Sequence, residues 1–265
     1  MFGFVHIQKT AGQTIREILR KNFGAKHCDI YRGFDTVTLT NKEWKWISQC
    51  YPNLQSIGGH NIVPRGKYLE LKDIQFFTFL RDPVARSISH YQFLVKRKTV
   101  SVPFSEWMPN NANRQVKVLS GELNLQEAID CLETQIGFTG MMESFNESLV
   151  LWKHWIDLPN FDIRYQSVNV AKSNSLREKI LADSANQELL DNYNSLDQRL
   201  YNYAKLNIWP RQIEWLGDQL NSQTKFLEES LDSASNFSAR NFYGRVKRNM
   251  VFRPRFKKMI KFQDS

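Results

Sequence analysis

The sequence predicts a three-layer α/β fold, with a central and mostly parallel sheet flanked by helices. Three observations predict it. The apolar run Phe2-Gly3-Phe4-Val5-His6-Ile7 passes through a small, polar turn into a segment of helical spacing. A second run, Asp73 to Leu80, ends at Arg81-Asp82-Pro83 and enters another helical segment. A third, Ile136 to Gly140, is again followed by helix. Strands alternating with helices imply parallel strands covered on both faces.

The first strand spans residues 2–7 and its turn Gln8 to Gln13; the helix begins at Thr14, with Ile15, Ile18, Leu19 and Phe23 on one face. At the second unit Asp82 suits an N-cap and Pro83 a first helical residue, with helix over Val84–Val95. Asn124–Glu133 reads as helix, 136–140 as strand, Ser144–Ile156 as helix and Phe161–Tyr165 as a further strand. Gln187–Leu206 places Leu189, Leu190, Tyr193, Leu196, Leu200, Tyr203 and Ala204 on one face of an amphipathic helix. Another helix covers Pro210–Leu231. The serine-rich stretch Ser230–Ser238 ends the packed part, which gives a domain over 1–235 and a tail over 236–265.

The tail holds nine Lys/Arg against one acid, Asp264, and so carries +8 of the chain's formal +9. The rest is nearly neutral, so the basicity concerns partners rather than fold. An anionic membrane surface or another polyanion suits it; no nucleic-acid recognition motif accompanies it, so no specific nucleic acid is expected. The three cysteines, Cys28, Cys50 and Cys131, are widely spaced and lack any Cys-x-x-Cys pair. That pattern argues against a zinc site and a disulfide framework, and no metal is expected. No apolar stretch reaches transmembrane length, and the first strand begins too early for a signal peptide. The expectation is a cytoplasmic protein, peripheral to the membrane at most.

Two turns carry chemistry. Lys9-Thr10-Ala11-Gly12-Gln13-Thr14 joins a strand to a helix. Small residues let the backbone wrap an anion, the helix N-terminus offers unpaired N–H groups, Lys9 adds charge, and Thr10 and Thr14 add hydroxyls. The order differs from the Walker loop, whose lysine comes last. In Arg81-Asp82-Pro83-Val84-Ala85-Arg86-Ser87-Ile88-Ser89, Arg81 ends a strand and Ser89 lies about two turns into the helix, so both can bind a second phosphate at the sheet's carboxyl edge.

Together the turns resemble the two signatures for PAPS (3′-phosphoadenosine 5′-phosphosulfate) in membrane-type carbohydrate sulfotransferases, nearest the heparan sulfate 6-O-sulfotransferase branch. Asn113-Arg114-Gln115-Val116-Lys117-Val118-Leu119 and Leu196-Asp197-Gln198-Arg199-Leu200-Tyr201-Asn202-Tyr203-Ala204-Lys205 resemble further blocks of that branch, in the same order. The resemblance covers residues 2–207 and implies the P-loop-like sulfotransferase fold. It implies that Lys9, Thr10, Ala11, Gly12, Gln13 and Thr14 hold the 5′-phosphosulfate and that Arg81 and Ser89 hold the 3′-phosphate. PAPS is then the co-substrate and PAP (3′-phosphoadenosine 5′-phosphate) the product. Ala11 stands where glycine is common, and Met142 precedes Glu143 where threonine is usual.

Transfer to a hydroxyl needs a base, and histidine titrates in the right range. Of His6, His27, His60, His90 and His154, His60 lies in the glycine-flanked stretch Ser56–Asn61, read as a loop. The resembled family places its Gly-His base at this distance before the second turn, which implies His60 as base and Lys9 as stabiliser of transition-state charge. Arg114 and Gln115, with Trp44, Trp46 and Trp107, are candidates for a carbohydrate acceptor groove. Two other readings compete: a nucleotide-dependent phosphotransferase sharing the phosphate-loop logic, and a non-catalytic polyanion-binding protein.

Overall fold

The computed structural model describes residues 1–30, 38–65, 73–166, 175–231, 239–252 and 254. Among the described residues five strands, β1 (Phe2–Val5), β2 (His27–Ile30), β3 (Ser56–Gly59), β4 (Gln75–Leu80) and β5 (Ile136–Met141), form one sheet in the order β2-β3-β1-β4-β5. Every pairing is parallel. The expected α/β sheet is thus present, parallel throughout, with helices on both faces.

Alternation along the strands builds the two interfaces. Phe4, Phe77, Phe79 and Phe138 face α1 (Gly12–Phe23) and α7 (Phe145–Ile156), where Ile15, Ile18, Leu19, Leu149 and Trp152 close the core. Val5, Ile7, Ile30, Ile57 and Leu80 face the other layer, which includes α2 (Asn41–Cys50), α5 (Arg114–Ser120) and α6 (Leu125–Thr134). The helix after β4, α3 (Pro83–Lys96), begins as the sequence predicts. Asp82 accepts from the Ala85 N–H at 2.8 Å and Pro83 is the first helical residue.

Four readings of the sequence are corrected. Ser56–Gly59 is a central strand, not a loop. A Cβ at Gly59 would lie 2.4 Å from the Ile30 carbonyl and one at Gly58 3.2 Å from Phe4 Cβ, so close strand packing demands the glycines that disguise it. Residues 161–165 form no strand: the Asp162 backbone is bonded on both sides to the Asn22 side chain, Asp162 N–H to Oδ1 and Nδ2–H to Asp162 O. The helix expected over 187–206 breaks at the buried Asn194, between α9 (Ser184–Tyr193) and α10 (Ser195–Tyr203). The one expected over 210–231 breaks at Gly217, whose φ of 49° belongs to the left-handed region, between α11 (Trp209–Ile213) and α12 (Gln219–Leu231).

The expected domain boundary at 235/236 lies outside the described residues, as do residues 255–265 of the tail. Within the tail, α13 (Ala239–Val246) packs against α1 and the Gly24–Lys26 turn, and the π-helical turn after it ends at Phe252. Gly244 lies against the Gly24 carbonyl, and Phe252 is buried between Trp46 and Tyr51. Arg248 joins Arg16 and Arg20 on the buried Asp29.

Candidate active site

Three strands of this sheet deliver side chains to one edge: β1 runs into the Lys9 loop, β3 ends at His60, and β4 ends at Arg81. The order of strands places β1 between the other two.

The first loop curls because Lys9 (φ 70°) and Ala11 (φ 61°) adopt left-handed backbone, a conformation that recurs in anion-binding turns. α1 then starts at Gly12 with no side-chain cap on its first N–H groups among the described residues. Thr10 does not offer its hydroxyl to a ligand as expected. It is fully buried and donates to the Ile7 carbonyl at 3.0 Å, so it staples the loop. Thr14 is half-buried and Gln13 exposed on the first turn of α1. Gln8 is buried. Its Oε1 accepts from Arg114 Nε at 2.9 Å, while its Nε2 donor has no partner among the described residues. Buried donors are rarely left without one.

Arg81 Nη1 donates to the Lys9 carbonyl at 3.1 Å, so the two turns meet. Lys9 Nζ lies 4.5 Å from the centre of the Phe93 ring, against which Arg97 also rests. Burial and the Arg81 and Arg97 guanidiniums lower the Lys9 amine to about 8. Three cations, Lys9, Arg81 and Arg97, thus gather at this turn, and their mutual repulsion together with burial accounts for the lowered lysine. Ser89 is half-buried one helical turn beyond Arg86.

The Arg81 turn is braced from behind. Gln115 accepts from the Arg81 N–H at 3.0 Å and donates to the Arg81 carbonyl at 2.9 Å. Gln115 is fully buried, so it shapes the turn and does not line an acceptor groove. Glu143 accepts from the Asp82 N–H at 2.9 Å and from the Tyr201 hydroxyl at 2.7 Å. Gln115 is itself fixed by reciprocal capping of α5 and α10. Asp197 accepts from the Gln115 and Val116 N–H groups, and Asn113 Oδ1 accepts from those of Leu196 and Asp197. Such caps typically contribute about 0.5–2 kcal/mol each.

His60 follows β3 directly. Its Nδ1 lies 2.7 Å from the His6 carbonyl, which only accepts, so Nδ1 carries the ring proton and Nε2 is the basic nitrogen. Burial lowers the ring to about 4, with Arg114 and Arg16 acting in the same direction, so it is unprotonated at neutral pH. The other histidines have different surroundings. His90 is buried edge-on to Trp107, His27 is held between Ser56 and Asp29, and His154 is exposed on α7. Arg114 reaches the site through Gln8. Trp44 and Trp107 are buried core residues and Trp46 packs on Phe252, so the expected tryptophan-lined groove is not formed.

Two turns and a neutral histidine therefore meet at the carboxyl edge of a parallel sheet, where open α/β folds bind their ligands. The chain belongs to the Sulfotransferase family, whose model matches residues 2–204. That membership supports the transfer of sulfate as its activity. A solved sulfotransferase from Alicyclobacillus acidocaldarius is similar to it at 12% identity and a TM-score of 0.37, over 71% of this chain and 93% of that one. No curated protein matches in sequence. No helix among the described residues is long and apolar enough to cross a membrane.

Proposed function

We propose that this chain transfers the sulfuryl group of PAPS to a hydroxyl of a carbohydrate acceptor, as the resemblance to the heparan sulfate 6-O-sulfotransferase branch implies. The contact between Arg81 and the Lys9 carbonyl carries the reading, because it brings together two anion-binding turns seventy-two positions apart. The residues present fit PAPS. The Lys9–Thr14 backbone and the start of α1 take the 5′-phosphosulfate, with the Gln8 amide as a further donor. Arg81 and Ser89 take the 3′-phosphate.

When bound, PAPS supplies the activated sulfuryl group. His60 Nε2 takes the proton of the acceptor hydroxyl. Lys9 Nζ neutralises the charge that develops on the phosphate-side oxygen. Arg114, set beside His60 by Gln8, suits an anionic group of the acceptor. Calorimetry with PAP and with ATP tests the donor: PAP binds and ATP does not, whereas equal affinity would favour phosphotransfer. Radiolabelled PAPS with a panel of oligosaccharides tests the reaction. A protein that binds PAP yet labels none of them would be a polyanion binder.

We infer that the tail contacts an anionic membrane surface. α13 and the turn after it are docked on the domain yet expose Phe242, Tyr243 and Met250 at 58%, 67% and 74%. A segment of +8 repels a second copy of itself and attracts anionic lipid. The protein is expected to float with phosphatidylglycerol vesicles and not with phosphatidylcholine vesicles, and to lose this when Phe242, Tyr243 and Met250 are changed to serine. Undiminished flotation of that triple variant would refute the contact.

A further inference from the structure

One buried neighbour of His60, His6, takes no part in the transfer described above. His6 is 9% exposed, and its ring lies between two others: 5.3 Å and 18° from Phe4 on one side, 4.2 Å and 23° from His60 on the other. Phe4 in turn lies 5.1 Å from Phe77. A column of four rings therefore runs from the sheet core to His60. The His6 carbonyl receives the Nδ1 proton of the same His60. On its remaining side the His6 ring meets the donor loop. A Cβ at residue 12 would lie 1.7 Å from His6 Nε2, so glycine alone admits the ring there.

We propose that His6 is the positioning residue of the base: its ring sets the plane of the His60 imidazole, its carbonyl sets the tautomer, and its contact with Gly12 ties both to the loop that holds the phosphosulfate. The inference rests on the reading of His60 as base and goes beyond it by explaining how the base keeps its aim. Arg16 and Lys9 on α1 and its loop, His60 after β3, and Asp29 on β2 are the ionisable groups facing the ring. Burial together with His60, Arg16 and Lys9 outweighs Asp29 and holds His6 well below the ordinary histidine value. A ring that stays neutral can act as a platform without competing for the acceptor's proton. Its backbone carbonyl survives any side-chain change, so substitution isolates the contribution of the ring.

The test is His6→Ala beside His60→Ala, with turnover, PAP affinity and the pH–rate profile measured on each. Misplacing a reacting group by about 1 Å can cost on the order of 10²-fold, so His6→Ala is expected to lose about 10- to 100-fold in turnover with PAP affinity retained. Its acid limb should also move up towards the ordinary histidine range, because the void exposes His60 to water. His6→Asn replaces His6→Ala should the latter fail to fold. Wild-type turnover in the folded His6 variant, or a loss of PAP affinity as large as the loss of turnover, would overturn the positioning role. If His60→Ala is inactive while His6→Ala is fully active, the positioning role alone falls. If His60→Ala itself is fully active, the base reading falls with it.

Discussion

His60→Ala is expected to lower turnover by on the order of 10²–10⁴ while PAP affinity stays at the wild-type level. Both halves follow from the geometry. His60 ends β3, whereas the donor's two anionic ends are assigned to the turns after β1 and β4, so the ring contributes to the acceptor's proton and not to the nucleotide's grip. The pH profile supplies a second signature. With His60 held at about 4, the basic form is present throughout the neutral range. Activity therefore persists as pH falls through the ordinary histidine value and declines only nearer that lowered one. A donor-side role for His60 would instead show as weaker PAP binding with turnover intact.

Lys9→Ala is expected to damage both steps. Removing one preorganised donor from a transition-state charge typically costs about 3–4 kcal/mol in turnover. PAP affinity should fall as well, since Lys9 faces the anion in ground state and product alike. In the free protein Lys9 loses its proton near pH 8. Bound PAP favours the protonated amine, so above that pH binding must take up a proton. PAP affinity should then weaken by up to about tenfold per pH unit. Lys9→Ala should remove this pH dependence together with the affinity, and isothermal titration across pH 7–9.5 reads both. Wild-type kinetics in Lys9→Ala would contradict the role.

The placement of both turns is legible in the sequence because each follows a strand of strong apolar character, and because Asp82-Pro83 marks a helix start that the structure reproduces. What was not legible has physical causes. β2, His27-Cys28-Asp29-Ile30, has the wrong residues for a buried strand until Arg16, Arg20, Arg248 and Ser56 are brought to its His27 and Asp29 from elsewhere in the chain. β3 hid behind its glycines, which no local propensity favours in a strand. Thr10 and Gln115 have the polarity of ligand-binding residues, and only their burial shows that they brace the turns instead. Nothing in the sequence of the blocks at 113–119 and 196–205 shows that they pair. The reciprocal caps between Asn113 and Asp197 supply it: the two blocks are halves of one brace behind Arg81. Arg97 carried no sequence signal, since it reaches Lys9 only through the helical step from Phe93.

The most direct measurement is a crystal structure of the protein with PAP. The account predicts one nucleotide across the sheet's carboxyl edge, with its 5′-phosphate on the Lys9–Thr14 backbone, its 3′-phosphate on Arg81 and Ser89, and His60 on the open side of the 5′ end. A PAP molecule that touches only one of the two turns, or lies away from both, would contradict it.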